Sequence, residues 1–470
     1  MTARGIRRVA RPGALAVALP VALLAIAVVL GSVLWSRGDL NGLICDGDCG
    51  PEHVIAPRAL MSDTEPGPVG SARQPTGTVD PAKLSAAVKG TLDSAALGPR
   101  VGFVAIDPAS GTQLATSGRG SFIPASTTKV LTSFAALSLL DPQTRFSTRV
   151  VKDDDRVVLV GGGDPYLATK RPKTRDRAVQ GDLTTLARLT ASALKKAGTT
   201  TVSVGYDASL FTGPSVSPEW EPTYVSGNIV TLVSALWTDQ GEQGGVRARD
   251  PAAAAARTFA RLLAERGVTV AGEPATASAS AAAPVVAVVR SATVSRIVER
   301  LIGTSDNQAS EVMLRQAAIA ADEPASFHGG TKAVIDSLQS AGVDTAGLRL
   351  FDGSGLSRSN RISPATLAQT LRAAASKQPT SELLPDLPVS GFTGTLVDRF
   401  TALTAAQGLV RAKTGTLTGV HSLTGYAVDA DGLPVIFAVM TDDADTAMPL
   451  AAEADLDKVA AAIAACSCGR

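Results

Sequence analysis

Three short stretches carry side chains of the kind that acyl transfer needs. Ser126-Thr-Thr-Lys129 spaces a hydroxyl and an amine by one helical turn, so both project from one face. A serine attacks a carbonyl only with a base beside it, and a lysine serves once burial or a second cation lowers its pKa. Lys413, in Lys413-Thr-Gly-Thr416, is the candidate second cation, and Gly415 lets a substrate backbone approach closely. Ser305-Asp306-Asn307 adds another hydroxyl and an amide. Each stretch alone is a weak signal; all three, in this order and in fitting local structure, specify a serine acyl-transfer site.

The elements that must position them are legible in outline. A helix through Ala125–Leu140 follows Pro124 and places Ser126 at its start, where free N–H groups and the dipole favour an oxyanion. Helices over Val294–Ile302 and Asn307–Ala320 flank the turn that holds Ser305. Lys413-Thr-Gly-Thr416 is placed at the end of a strand, Gly408–Thr414, with strands Gly419–Val428 and Val435–Met440 after it. Helix Ala82–Leu97 and strands Val101–Ile106 and Gln113–Thr116 precede the serine, and an Ala-rich helix over Pro449–Ala465 closes the chain. Between the first two motifs, strand-like segments recur from Arg145 to Gly205 around a helix at Leu183–Ala197. Asp250-Pro251 then opens a helix to Arg266, and the low-complexity stretch Glu273–Pro284 leads back.

At 470 residues the chain has room for two or three domains. Lys plus Arg number 44 and Asp plus Glu 43, a net charge of +1 that argues against a general nucleic-acid binder. With 45% hydrophobic and 19% charged residues, a wholly disordered chain is excluded. Arg4, Arg7, Arg8 and Arg11 precede an apolar run of 23 residues from Gly13 to Trp35, long enough to cross a bilayer. The arginines hold its start in the cytoplasm. Residues 1–36 therefore read as a membrane anchor, with a cleaved signal peptide as the rival, and everything beyond Trp35 as extracytoplasmic. Residues 37–81 read as a linker, with six prolines between Pro51 and Pro81. The cysteines form two pairs, Cys45/Cys49 and Cys466/Cys468, and allow three disulfide pairings. Disulfides persist outside the cytoplasm, and a staple between the chain's two ends is the attractive arrangement. The spacings match structural zinc sites poorly, so no metal is expected.

Four further stretches stand beside the three motifs: Leu159-Val-Gly-Gly-Gly-Asp-Pro165, Asp352-Gly-Ser-Gly-Leu-Ser-Arg358, Leu387-Pro-Val-Ser-Gly391 and Gly394-Thr-Leu396. Together they resemble the class C low-molecular-mass penicillin-binding proteins, the D-Ala-D-Ala carboxypeptidase/endopeptidase family of serine peptidases, over roughly residues 82–465. The resemblance implies an α/β (α+β) fold, with a penicillin-binding-protein/β-lactamase-like catalytic domain from 82–146 and 289–470. A mixed α/β domain would be inserted at 147–288, because Ser126 and Ser305 lie 179 apart (305 − 126). It implies that Ser126 is acylated, Lys129 takes its proton, Ser305 relays it to the leaving D-Ala and Asn307 holds the substrate amide. Lys413, Thr414, Gly415 and Thr416 would bind the terminal carboxylate, and backbone N–H groups of Ser126 and Thr416 would form the oxyanion hole. Arg358 would face a peptide side-chain carboxylate. Peptidoglycan stem peptides are the implied substrate and β-lactams the implied inhibitors; no cofactor is implied. The rivals are a serine β-lactamase and a non-catalytic wall scaffold.

Other eye-catching residues have plainer readings. Asp164 after three glycines lacks the Lys-Ser/Thr of a phosphate loop and reads as a turn. The basic run Lys170–Arg177 reads as a solvated loop, with anionic wall polymers as candidate partners. His421 reads as structural or as part of the cleft rim, and Asp153-Asp-Asp155 as a hairpin tip. Trp220, Tyr224 and Trp237 read as core of the inserted domain.

Overall fold

A computed structural model of the chain describes residues 77–172, 176–280 and 282–470. The apolar run at 13–35, Cys45 and Cys49 lie outside the described residues. Among the described residues no helix is long and apolar enough to cross a membrane.

Strand alternation builds the first layer. In β1 (Val101–Ile106), Phe103 and Ala105 point to one side while Val104 and Ile106 point to the other, and all four are buried. β1 pairs with β2 (Gln113–Ser117). The helix carrying the serine, α2 (Thr128–Leu139), follows α1 (Pro81–Leu92) and the short 3-10 turn Ala125–Thr127. A second sheet then begins with the hairpin β3 (Arg145–Asp153) and β4 (Arg156–Val160), whose tip is Asp154-Asp155. Helix α3 (Leu183–Lys196) leads to β5 (Thr201–Asp207), parallel to β4. Asp250 caps α4 (Pro251–Ala264) by accepting from Ala253 N, as an Asp-Pro start requires. β6 (Val285–Thr293) returns along β3.

The chain then builds α5 (Val294–Thr304), α6 (Asn307–Ala320), α7 (Phe327–Ser340) and α8 (Pro364–Ala375). It closes the first sheet with β7 (Val410–Leu417), β8 (Val420–Val428) and β9 (Pro434–Thr441), in the order β7-β8-β9-β1-β2. Helix α9 (Pro449–Ala464) packs with α1 on one face of that sheet, through Leu84, Val88, Leu456 and Val459. Helices α2, α5, α6, α7 and α8 cover the other face.

Two expectations are corrected here. Cys466 is bonded to Cys468, the local pairing rather than an end-to-end staple. Backbone bonds join the first described residues to the last: Asp80 N to Cys468 O at 2.7 Å and Arg470 N to Thr78 O at 3.0 Å. Trp220 and Tyr224 belong to the core of the catalytic helices, not to a separate core around the second sheet. Trp220 stacks edge-on against Phe327 at 5.4 Å, and its Nε1 donates to Asp352 at 2.7 Å. Replacing Trp220 with Ala should therefore lower the unfolding free energy by about 3–5 kcal/mol in chemical denaturation. A loss below 1 kcal/mol would contradict this packing.

Candidate active site

Ser126 sits on the 3-10 turn that leads into α2, and Ala125 before it has φ +48. A non-glycine residue rarely adopts that conformation, and here packing enforces it. Gly355, with φ +85, lies so close that a Cβ on it would stand 1.8 Å from Ala125 O. One turn along, Lys129 is fully buried. Its Nζ donates to Ser126 Oγ at 2.8 Å, Asn307 Oδ1 at 2.8 Å and the Ser354 carbonyl at 2.7 Å.

Burial pulls the Lys129 pKa down to about 8, against the opposing pull of Asp352, Glu311 and Asp306. At that value about one lysine in ten is neutral at pH 7, free to accept the serine proton. Burial is the first cause of the Lys129 shift, and the like-charge repulsion expected between the two lysines falls on Lys413. Lys413 itself is driven well below the usual lysine range, by burial first and then by Lys129.

The Ser305-Asp306-Asn307 turn joins two helices as expected. Ser305 ends α5 in the left-handed conformation, φ 58 and ψ 41. Asp306 caps α6 by accepting from Ala309 N at 2.9 Å. Ser305 Oγ accepts from the fully buried Lys413 Nζ at 2.8 Å, and Lys413 also donates to Thr414 O at 2.7 Å. Each serine hydroxyl is thus in hydrogen-bond contact with its own buried lysine.

Lys413-Thr-Gly-Thr416 lies at the end of its strand as expected, but the strand runs to Leu417 rather than stopping at Thr414. It is the outermost strand of the sheet, so the motif lies along an edge beside the serine. A Cβ on Gly415 would stand 2.6 Å from Pro124 O and 3.1 Å from Ser126 N, so only glycine lets strand and serine turn meet. Thr414 Oγ1 donates to Thr395 Oγ1 at 3.1 Å, and Thr416 Oγ1 to Glu453 at 3.1 Å. Arg358 donates to Thr418 O at 2.8 Å, just past the motif, and stands 3.9 Å from Glu221. His421, paired with Thr416 in the register, is 1% exposed with both ring nitrogens unpartnered.

No motif singles out Glu311, and Asp352 stands within its quoted stretch with no role given to it. Glu311, one turn beyond Asn307, is fully buried and accepts from Gly353 N at 3.0 Å and Ser354 N at 2.8 Å. Burial, then Asp352, raises its pKa to about 7. Asp352 accepts from Gly355 N at 3.0 Å, Ser357 N at 2.7 Å and Asn360 Nδ2 at 2.7 Å. The two carboxylates thereby fix the loop whose Ser354 carbonyl holds Lys129. Their signal was an acid one helical turn past Asn307 and another opening a Gly-Ser-Gly run. Asp164 is a buried turn residue, accepting from Tyr166 N at 2.9 Å. Among the described residues no cluster of His, Cys, Asp and Glu could hold a metal.

The sequence pattern of the D-Ala-D-Ala carboxypeptidase 3 (S13) family matches residues 84–244 and 239–463. The chain belongs to that family. Carboxypeptidase DacB of Mycolicibacterium smegmatis is 32% identical over 97% of both chains. A Mycobacterium tuberculosis carboxypeptidase is 38% identical over 68% of this chain and 71% of its own length. Penicillin binding protein 4 of Haemophilus influenzae shares the fold: TM-score 0.66 at 22% identity, over 81% of this chain and 99% of that one. This S13 chain is thus a serine hydrolase of the D-Ala-D-Ala carboxypeptidase kind, with a mixed α/β fold of the penicillin-binding type.

Gly415→Ala tests the geometry. The added methyl must push β7 off the serine turn, so acylation by a penicillin should slow at least about a hundredfold while overpacking lowers stability by about 1–3 kcal/mol. Acylation at the wild-type rate would contradict the contact.

Proposed function

We propose that this S13 peptidase removes the terminal D-Ala from peptidoglycan stem peptides, and opens cross-links of the same chemistry, through an acyl-enzyme on Ser126. The observation that carries the assignment is the 2.8 Å contact between Ser126 Oγ and a buried amine with a pKa of about 8. Neutral Lys129 takes the Ser126 proton as Oγ attacks the carbonyl of the penultimate D-Ala. The oxyanion is held by backbone N–H groups of Ser126 and Thr416, a role supported by the close approach of Gly415 to Ser126 N. Collapse breaks the amide bond; the proton held by Lys129 returns through Ser305 to the leaving amine, so Lys129 is neutral again and Ser305 keeps its hydroxyl. Water then attacks the ester with Lys129 again as base, regenerating Ser126 and releasing the shortened peptide.

Asn307 gives its Oδ1 to Lys129, which leaves its amide N–H groups for the substrate carbonyl. A bound terminal carboxylate would favour the charged form of the buried Lys413, and the hydroxyls of Thr414 and Thr416 would supply donors to it. Arg358 stands beyond the strand as the candidate partner of a peptide side-chain carboxylate. A β-lactam carries its own carboxylate and a strained amide, so it would acylate Ser126 in the substrate's place. The Haemophilus protein is known in complex with a β-lactam, which supports this reading. Residues 147–288 are read as an inserted domain; the second sheet between Arg145 and Thr293 supports that division, while Tyr166, Trp220 and Tyr224 pack into the core of the catalytic helices. Residues 13–35 are read as a single span that holds the catalytic part outside the cytoplasm.

The test is release of D-Ala from a pentapeptide ending in D-Ala-D-Ala, together with intact mass after penicillin treatment. Wild type should release D-Ala and carry one persistent adduct that maps to Ser126. Ser126→Ala should lose turnover by about a thousandfold or more and gain no adduct. Turnover in the Ser126→Ala protein would overturn the mechanism. Penicillin consumed with no lasting adduct would move the reading to a β-lactamase.

A further inference from the structure

The turn bearing Ser305 and Asn307 is lightly held by its own backbone. Ser305 N reaches Ile302 O at 3.4 Å and Asp306 N reaches Leu301 O at 3.1 Å, with Ser305 left-handed between two helices. From outside, Lys413 reaches Ser305 and Lys129 reaches Asn307, and a side chain 66 residues earlier takes the residue between them. Gln240 Nε2 donates to both oxygens of Asp306, at 2.9 Å and 2.8 Å.

The backbone around Gln240 is unusual in the same direction. Asp239, Gln240 and Gly241 are three consecutive left-handed residues, with φ of 51, 54 and 72, and two of them carry side chains. That conformation is unfavourable for L residues and persists only where the surroundings enforce it. Here Asp239 N donates to Leu167 O at 2.9 Å, and the Asp239 carboxylate accepts from Thr169 N at 3.1 Å. The Gln240 carbonyl accepts from Thr231 Oγ1 at 2.6 Å. These bonds hold the backbone from which the Gln240 amide reaches Asp306. Gln240 lines an open pocket of ≈ 270 Å³ with Tyr166 and Arg300, and the buried Tyr166 hydroxyl is the other side-chain donor that stands beside Asp306.

We propose that Gln240 is a positioning residue for the acylation step, acting through Asp306 to hold Ser305 and Asn307 in register with Lys413 and Lys129. The inference rests on the reading of those four residues as catalytic. A primary amide suits the place because it satisfies both carboxylate oxygens while adding no charge. A lysine or arginine there would cancel the Asp306 field, which helps keep Lys129 from falling further below its pKa of about 8. The inserted segment thereby supplies part of the catalytic geometry rather than merely decorating the fold.

The experiment uses the full chain with Gln240→Leu and Gln240→Glu, reading the rate of acylation by a fluorescent penicillin from pH 5 to 9 alongside thermal melting. Around position 240 stand Asp306, Asp239, Tyr166, Arg300, Lys170 and Arg247. Asp239 is turned to Thr169 N, and Arg300 is paired with Asp176 at 2.5 Å. Asp306 is therefore the carboxylate that Q240E confronts, and two carboxyl groups in hydrogen-bond reach hold a proton that a lone one would release. Q240L should acylate about tenfold or more slowly than wild type across the whole pH range, through loss of a hydrogen bond to a charged group. Q240E should be as slow at pH 8 yet approach the wild-type rate as the pH falls, because the shared proton restores a donor. Should Q240L fail to fold, the pH dependence of Q240E relative to wild type decides alone. Wild-type rates in the variants, or a Q240E-to-wild-type ratio that is flat with pH, would overturn the proposal. If wild type itself takes no adduct, the reading of the catalytic residues fails instead.

Discussion

An amine shut away from water against a serine hydroxyl is the contact on which the rest of this molecule depends. An ammonium in bulk solvent holds its proton far too tightly to act as a base near neutral pH. Burial of Lys129 loosens that grip, but a buried cation without partners would be strongly destabilising. The structure meets both demands: three acceptors, Ser126 Oγ, Asn307 Oδ1 and Ser354 O, surround the nitrogen. Buried acids, Glu311 and Asp352, hold the loop that supplies the third acceptor while keeping the pKa from falling too far. The glycines follow from the same geometry. Gly355 under the serine turn and Gly415 beside it exist because backbone must pass where a methyl group would stand.

Much of this was legible before any coordinates. Ser126 and Lys129 are one helical turn apart, so their meeting follows from helix geometry. The Ser305 turn was fixed by two amphipathic helices that break at Gly303–Asp306, and both helices are where periodicity put them. Asp250-Pro251 marked a helix start and is one. These are local signals, carried by neighbours within a few residues.

What was not legible is what acts across distance. Nothing in the β7 sequence says that its strand runs past Lys413-Thr-Gly-Thr416 to Leu417; edge pairing with β8 decides that. The Cys466–Cys468 bond spans a single residue, whereas compartment and chain-end arguments favoured a longer bridge. The aromatic residues of the intervening segment were assigned to a core of their own. Instead Trp220 leaves it to stack on Phe327 and donate to Asp352. Gln240 belongs to the same class: an amide with no motif around it, whose partner lies 66 residues away. The segment between the first two motifs is therefore tied into the catalytic half at the loop behind Lys129 and at the turn bearing Ser305.

The central claim is that Lys129 is the base and that burial tunes it. The most direct measurement is the acylation rate of the wild-type chain by a saturating β-lactam as a function of pH. The folded pKa of about 8 lies below the ordinary lysine value, so the neutral base gains population as pH rises through 8. The rate should climb through an apparent midpoint near 8 and level off above it, and Lys129→Arg, with a cation that cannot lose its proton, should show no such rise. A rate independent of pH between 6 and 9 would contradict the account.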